Sequence, residues 1–337
     1  MKAVAYFESL AIDDPRALQD VELPEPLPGP RDLLVEVRAI SVNPVDTKVR
    51  RNTQPEGGQP KVLGWDVAGV VVGLGSEVSL FKVGDEVFYA GSIARAGGNS
   101  ERHLVDERIV GRKPRSLSFA EAAALPLTAI TAWELLFERL QLVEGQSAGQ
   151  QLLIVGAAGG VGSIMLQLAR QLTEVSVIAT ASRPETQAWA RELGAHHVID
   201  HSQPLHAELQ RAGFASVSHV ASLTQTDQHF DQLVEALTPQ GRLALIDDPA
   251  QPLDVMKLKR KSLSLHWELM FTRSLFETPD MIEQHHLLQR VSQLVDQGVL
   301  RTTLGEHFGT INAANLRRAH ALLESGKAKG KIVLEGF

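Results

Sequence analysis

A glycine-rich turn at residues 156–162 carries the clearest chemical signal in the sequence. It reads GAAGGVG, follows the apolar run QLLIVG (151–156) and opens a segment with helical spacing. Between a strand and a helix such a turn binds a dinucleotide, because glycine lets the backbone approach the pyrophosphate and the helix N-terminus offers N–H groups. The dinucleotide-binding pattern has three glycines, and Ala157, Gly159 and Gly162 occupy their positions here, with alanine replacing the first glycine. The alternative is a purely structural turn. If it binds a dinucleotide, the expected contacts are Gly156, Ala158, Gly159, Gly160 and Val161.

The segment after the next strand indicates which dinucleotide is bound. An NAD site usually has an acidic residue there, bonded to the ribose 2′-hydroxyl. This chain reads ATASRPE at 179–185, with Ser182 and Arg183 first and no carboxylate before Glu185. A hydroxyl and a guanidinium suit a 2′-phosphate, so the sequence predicts NADPH. The alternative is that Arg183 is an ordinary solvated loop residue.

Composition excludes several other functions. The 33 Lys and Arg against 40 Asp and Glu give a net charge of −7, which disfavours nucleic-acid binding. The absence of cysteine excludes disulfides and thiolate metal sites. The N-terminus lacks the pattern of a secretory signal, and no apolar run is long enough to predict a membrane span. We therefore expect a cytoplasmic protein with neither a membrane nor a nucleic acid as partner.

The elements that must position the turn fall into two kinds. Up to about residue 110, short β-rich runs are separated by Gly and Pro, which favours a barrel or sandwich. From the apolar helical pattern near residue 120 onward, and clearly from 151 to 247, strands alternate with helices of about ten residues, which predicts a parallel sheet. The sequence thus predicts an α/β domain over roughly 126–275, inserted into a β-rich domain built from both ends of the chain.

Four motifs in order and spacing make the chain similar to a known family. They are NPVD (43–46), GWDVAGVVVGLGSEVSLFKVGDEV (64–87), LPLTAITAWELL (125–136) and the glycine turn. The chain resembles the medium-chain dehydrogenase/reductase superfamily, in particular its quinone oxidoreductase and zinc-type alcohol dehydrogenase-like branch. The resemblance implies a GroES-like β-barrel catalytic domain over residues 1–125 and 276–337. It also implies a Rossmann-type doubly wound parallel sheet over 126–275, with the nicotinamide in the cleft between the domains.

The resemblance further implies a homodimer, formed where the edge strands of two Rossmann sheets pair. The candidate edge is SLSLHWELMF at 262–271, whose alternation and aromatic content suit a strand that needs a partner. The alternative is an ordinary strand on a covered edge.

The resemblance also raises the question of a metal. Zinc-dependent members carry a ligand in a Gly-His-Glu motif, and this chain has Gly64, Trp65 and Asp66 there. Tryptophan cannot ligate zinc, and the adjacent histidines at 196–197 point to opposite faces of a strand. We therefore expect no zinc.

Without a metal, conjugated acceptors fit best. Hydride from NADPH can add to a quinone or an α,β-unsaturated carbonyl while hydrogen bonds stabilise the developing oxyanion. By resemblance, Asn43, Asp46 and Thr128 are the candidate catalytic residues. The alternative for Asn43 and Asp46 is a plain turn, since both residue types favour turns.

The remaining candidates concern the acceptor. Trp65, Tyr89 and Phe271 are predicted to line its pocket, with core packing as the alternative for the first two. Lys329 and Lys331 are more typical of a solvated charged face. Two other functions stay open, a zinc-type alcohol dehydrogenase of small alcohols or aldehydes and a non-catalytic NADPH-binding sensor.

Overall fold

The computed structural model describes residues 1–337, which form two compact units. The first unit contains Met1–Ile130 and Phe271–Phe337, and the second contains Thr131–Met270. The second unit is therefore inserted into the first. The units divide after residues 130 and 270, whereas the sequence predicts domain limits after residues 125 and 275.

The first unit is built on antiparallel β structure. Its strands are β1 (Lys2–Tyr6), β2 (Gln19–Glu22), β3 (Asp32–Val42), β4 (Lys61–Val62), β5 (Val67–Leu74), β6 (Glu86–Tyr89), β7 (Arg102–Asp106) and β8 (Val110–Arg112). A seven-stranded sheet is centred on β3, the longest strand, which pairs antiparallel with both β5 and β7. A second sheet has the order β2-β1-β4. Every second residue of β3 from Leu33 to Val37 is buried, as expected for a strand with one covered face.

The first unit also holds helices and the last strands of the chain. The helices are α1 (Pro44–Asn52), α2 (Phe119–Ala123) and α3 (Pro126–Trp133), whose last residues enter the second unit. The second unit intervenes before the C-terminal helices and strands. In chain order these are α8 (Thr272–Phe276), α9 (Glu283–Asp296), β15 (Leu304–His307), α10 (Ala313–Glu324) and β16 (Lys331–Glu335). Strand β16 pairs with the C-terminal part of β3, which places the end of the chain beside residues 39–42.

The second unit is a parallel sheet with helical crossovers. Its strands are β9 (Gln151–Val155), β10 (Ser176–Thr180), β11 (His197–Ile199), β12 (Val217–Ser222), β13 (Leu237–Leu245) and β14 (Ser264–Trp267). Its helices are α4 (Gly160–Leu172), α5 (Pro184–Glu192), α6 (Leu205–Arg211) and α7 (Thr226–Ala236). A π-helix spans Glu134–Arg139 and a 3-10 helix spans Val255–Lys261.

All six strands of this sheet are parallel, in the order β11-β10-β9-β12-β13-β14. This is the doubly wound order, in which the strand order reverses between β9 and β12 and ligands bind beyond the carboxyl ends of the strands. Leu153, Val220 and Leu243 lie in the buried apolar core, which also contains Phe230 and Leu233 of α7. The predicted α/β fold, with a Rossmann-type sheet and a GroES-like domain, is confirmed.

Two predicted elements differ from the structure. The alternative of a plain turn at NPVD is wrong: Pro44 begins the nine-residue helix α1, because Pro is favoured in a first helical turn and Asn43 can cap it. The predicted edge strand over 262–271 is much shorter, since only Ser264–Trp267 pairs with β13.

One helical stretch, Phe119–Arg139, is long and apolar enough to cross a membrane by length and composition. It is mostly buried inside the protein, and the core helices of soluble proteins meet the same criteria. Pro126 interrupts the stretch at the start of α3, as the sequence predicts.

Candidate functional site

The glycine turn lies at the carboxyl end of β9, where the strand order reverses. Gly156 has a φ of +80°, and its N–H donates to Thr180 Oγ1 at 3.2 Å. Gly159 precedes α4 as its N-cap residue and donates its own N–H to Gly156 O at 3.2 Å. The first N–H groups of α4 have no partner within the helix, so this end of the helix can receive an anion.

The space around the glycines tests whether this turn fits a dinucleotide. A Cβ added at Gly162 would lie 2.4–2.6 Å from backbone atoms of Ala157, so only glycine lets α4 approach the turn this closely. A Cβ at Gly159 would meet nothing nearer than Gly156 O, at 3.5 Å. Gly159, Gly160 and Val161 are half-exposed, whereas Ala157 and Ala158 are buried. The turn is therefore an open cradle with a closely packed base, as a pyrophosphate site requires.

The tip of β10 lies beside this cradle. Ser182 is exposed, and Arg183 is the N-cap residue of α5 with a side chain that is 37% exposed. The Arg183 guanidinium pairs with Glu185 at 3.2 Å, so the nearest carboxylate in sequence is engaged by the arginine itself. Thr180 Oγ1, which accepts the Gly156 N–H, also lies 3.1 Å from His201 Nδ1.

Two of the three predicted catalytic residues, Asn43 and Asp46, belong to the cap of α1. The Asn43 N–H donates to Asp46 Oδ2 at 2.7 Å, and the Gly64 N–H donates to Asp46 Oδ1 at 2.9 Å. Each side chain is 1% exposed. Burial raises the pKa of the Asp46 carboxyl to about 7, although these N–H groups and the Lys331 ammonium oppose the shift.

Asp66 joins Asn43 to two other elements. Its Oδ2 accepts hydrogen bonds from Asn43 Nδ2 at 2.8 Å and from Lys331 Nζ at 2.8 Å. Its Oδ1 accepts the N–H of Leu127, in the first turn of α3, at 2.7 Å. Burial raises the pKa of Asp66 and the Lys331 charge opposes that rise. Asn43, Asp46, Asp66 and Lys331 are hereafter called the buried polar cluster.

Thr128, the third predicted catalytic residue, is 2% exposed and its hydroxyl donates to Leu125 O at 3.0 Å. Asn43 directs its amide hydrogens to Asp66 and, at 3.3 Å, to Trp65 O. All three side chains therefore direct their polar groups to protein atoms, Thr128 to the residue just before α3. Their part in catalysis stays a prediction.

The predicted pocket residues lie in the interior of the first unit. Trp65 is 1% exposed, donates Nε1–H to Ser92 O at 3.2 Å and packs edge-on against Phe271, with ring centroids 6.2 Å apart. Tyr89 has no exposed surface, and its hydroxyl lies 2.9 Å from His103 Nδ1. Burial raises the pKa of Tyr89 well above its usual value, which makes it a poor proton donor. All three side chains are buried, and their role in lining an acceptor pocket stays a prediction.

Sequence reasoning missed Lys331, which is only 3% exposed, so the expectation of a solvated charged face is wrong for this residue. The sequence shows only that Lys331 begins the apolar strand KIVLE, and because lysine is rarely buried unless paired, its burial could be found only once Asp66 was placed beside it. Thr180 was also missed, and its contact with Gly156 depends on the register between β9 and β10.

Comparison with known proteins identifies the family. Residues 29–132 match the alcohol dehydrogenase GroES-like domain, and residues 193–334 match the domain described as zinc-binding dehydrogenase. A zinc-type alcohol dehydrogenase-like protein of Staphylococcus aureus is 36% identical over 336 residues, covering 99% of both chains. A quinone oxidoreductase of Pseudomonas aeruginosa is 32% identical over 91% of this chain and 92% of its own.

Solved structures agree with this result. A Rhizobium etli crystal structure, named only provisionally as a zinc-dependent alcohol dehydrogenase, is 59% identical and superposes with a TM-score of 0.96, covering 100% of this chain and 98% of that one. Escherichia coli quinone oxidoreductase complexed with NADPH is 25% identical with a TM-score of 0.86, covering 99% and 100%. The fold and these matches define the protein as an oxidoreductase. The chain belongs to the medium-chain dehydrogenase/reductase superfamily and is similar in particular to its zinc-type alcohol dehydrogenase-like members.

The family's zinc raises the question whether the residues present fit such an ion. No three side chains of His, Cys, Asp or Glu are grouped so that they could hold a metal. At the 64–66 motif, the four carboxylate oxygens of Asp46 and Asp66 each accept a hydrogen bond from an N–H or ammonium group. Lys331 lies at hydrogen-bond distance from Asp66. This donor set does not fit zinc, which prefers thiolate, imidazole and unprotonated carboxylate ligands.

Proposed function

We propose that this protein is an NADPH-dependent reductase that reduces quinones or α,β-unsaturated carbonyls without zinc. The observation that carries the proposal is the open glycine cradle at the carboxyl end of β9, beside a β10 tip bearing Ser182 and Arg183. The names of two relatives support it, one a quinone oxidoreductase and the other a quinone oxidoreductase complexed with NADPH.

The residues of the second unit have distinct tasks in this proposal. Gly159 admits the pyrophosphate, and Gly160 and Val161 present N–H groups of the α4 N-terminus to it. Ser182 and the Arg183 guanidinium hold the 2′-phosphate with charge-assisted hydrogen bonds. Arg183 must then exchange its contact with Glu185, 3.2 Å away, for the phosphate.

Bound NADPH supplies a hydride, which adds to the β-carbon of an enone or to a quinone ring. Water supplies the proton that completes the reduction to the saturated carbonyl or the hydroquinone. The buried polar cluster holds the first turn of α3 through the bond from Leu127 N–H to Asp66, which fixes the backbone at Thr128. In this proposal the cluster therefore positions the first turn of α3 and takes no part in the chemical step.

A non-catalytic NADPH-binding sensor is the second candidate, and one observation favours it. The polar groups of Asn43, Asp46 and Thr128 are engaged within the protein. Such a sensor would bind NADPH tightly and reduce no acceptor.

The test is an absorbance assay of the reduced nicotinamide with purified protein. NADPH or NADH is offered with quinones, enones and aldehydes in turn, with and without a chelator. The proposal predicts oxidation of NADPH with a quinone or enone, faster than with NADH and unaffected by the chelator. Turnover confined to aldehydes and abolished by chelation would refute it, and tight binding without turnover would favour the sensor.

We also propose that the protein forms a homodimer through β14. This strand is at the edge of the parallel sheet, so one side of its backbone has no strand partner within the chain. Trp267 and Leu269 are more than half exposed at this edge. Exposed edge strands with apolar side chains favour pairing with another chain.

A further inference from the structure

Lys331 carries a positive charge into the interior of the first unit. Its side chain is 3% exposed, and its ammonium donates to Asp66 Oδ2 at 2.8 Å, to Val42 O at 3.1 Å and to Asn43 Oδ1. An ammonium group has three hydrogens to donate, and three acceptors surround this one. The charge is therefore fully coordinated by protein atoms.

The acceptors around Lys331 belong to separate parts of the chain. Val42 ends β3, Asn43 caps α1, and Asp66 precedes β5 and accepts the Leu127 N–H from α3. One ammonium on β16 thus joins two strands and the starts of two helices. The ammonium also fixes the orientation of the Asn43 side-chain amide, because the amide oxygen faces Lys331 and the amide nitrogen faces Asp66.

The residue directly before Asp66, Trp65, is where the resemblance leads one to expect a metal ligand. The Gly64–Asp66 segment replaces the motif that carries a zinc ligand, and the domain that contains Lys331 is described as zinc-binding dehydrogenase. The donor set does not fit zinc. It fits a monovalent cation with directional hydrogen bonds, and Lys331 is such a cation.

We propose that Lys331 is a built-in cation: its ammonium takes the role that a metal ion would have in the buried polar cluster and holds Asn43 and the first turn of α3 in place. Lys331 is a positioning residue, since it acts through Asn43 and Asp66 and contacts no substrate. The proposal rests on the contacts within the first unit. Only its effect on turnover depends on the proposed function.

Charge pairing determines the choice of variants. Removing one partner of a buried ion pair leaves the other charge uncompensated, whereas replacing both partners with neutral groups is often tolerated. We therefore compare Lys331→Met, Asp66→Asn and the double variant with the full-length wild type. Lys82→Met is the matched control, because Lys82 undergoes the same chemical change at an exposed position.

Zinc content and stability are measured first, since neither needs turnover. After growth with added zinc and extensive dialysis, the wild type should contain far less than one zinc per chain. The urea midpoint should fall in Lys331→Met, recover largely in the double variant and stay at the wild-type value in Lys82→Met. One zinc per wild-type chain that Asp66→Asn removes would overturn the proposal. So would a Lys331→Met midpoint equal to that of Lys82→Met.

Measurement of turnover then distinguishes a positioning role of Lys331 from a purely structural one. With whichever quinone or enone the wild type reduces, the double variant should have kcat lower by about 10- to 100-fold, the usual cost of losing a supporting contact. Its Kd for NADPH should stay near the wild-type value. Recovery of both stability and kcat in the double variant would show a merely structural role. If the wild type reduces no acceptor, the proposed function fails, whereas zinc content and the urea midpoints still decide the role of Lys331.

Discussion

Asp66 shows how one side chain can organise several parts of a fold. Its two oxygens accept hydrogen bonds from an amide, an ammonium and a backbone N–H on separate segments. These bonds offset part of the energetic cost of burying this carboxylate, although burial still raises its pKa. Asp46 differs in its donors, which are both backbone N–H groups, and its pKa is raised to about 7.

The raised pKa of Asp46 predicts how stability depends on pH. Between the ordinary pKa of 3.8 and about 7, the folded protein retains the Asp46 proton while the unfolded chain has lost it. The contribution of Asp46 to the free energy of unfolding therefore falls as pH rises from 4 to 7 and changes little above that. Urea unfolding across this range should show a smaller decrease for Asp46→Asn than for the wild type. Equal slopes would show that Asp46 does not titrate in this window.

Arg183 provides a residue-scale test of cofactor choice. Arg183→Ala should raise the Kd for NADPH by about tenfold, equivalent to about 1.4 kcal/mol, because a contact with the 2′-phosphate is lost. The Kd for NADH should remain nearly constant. Fluorescence titration measures both constants, and Arg191→Ala, at an exposed position of α5, is the matched control. Equal weakening of NADPH and NADH would refute the assignment.

Most strands and helices of the second unit could be predicted because apolar runs and helical spacing alternate regularly, but helix α6 could not. The glycine turn was predicted at its observed position between β9 and α4. Helix α1 could not be recognised, since Asn, Pro and Asp favour both a turn and a helix start. The partners of Asn43 could not be predicted either. They depend on β16, almost 290 residues away in sequence, pairing with β3.

Alanine substitutions at two glycines of the turn are predicted to have different effects, one on stability and the other on NADPH binding. Gly162→Ala places a Cβ against the Ala157 backbone, so we expect a loss of stability of about 1–3 kcal/mol, typical of overpacking. Gly159→Ala makes only an ordinary van der Waals contact, 3.5 Å from Gly156 O, so its stability should stay near that of the wild type. The Gly159→Ala variant should still bind NADPH more weakly, since its methyl group occupies the path of the pyrophosphate. Thermal unfolding and NADPH titration measure the two effects. Unchanged affinity of Gly159→Ala for NADPH would contradict the proposal that the pyrophosphate binds at the glycine cradle.

For the whole molecule, the proposed homodimer places the exposed edge of β14 against a second copy of the chain. Trp267→Glu places a charge on this edge and should shift the protein from dimer to monomer. Light scattering coupled to size-exclusion chromatography gives the mass directly. Phe276→Glu is the control, because Phe276 is 75% exposed but lies on α8, outside the parallel sheet. A monomeric wild type, or a dimer that Trp267→Glu leaves intact, would contradict the assignment.

A titration of the purified full-length protein with NADPH, followed by fluorescence and run in parallel with NADH, tests directly whether the protein is NADPH-dependent. We predict saturable binding of one NADPH per chain, with NADH weaker by at least the roughly tenfold contribution assigned to Arg183. Failure of NADPH to bind, or equal affinity for the two nucleotides, would contradict it.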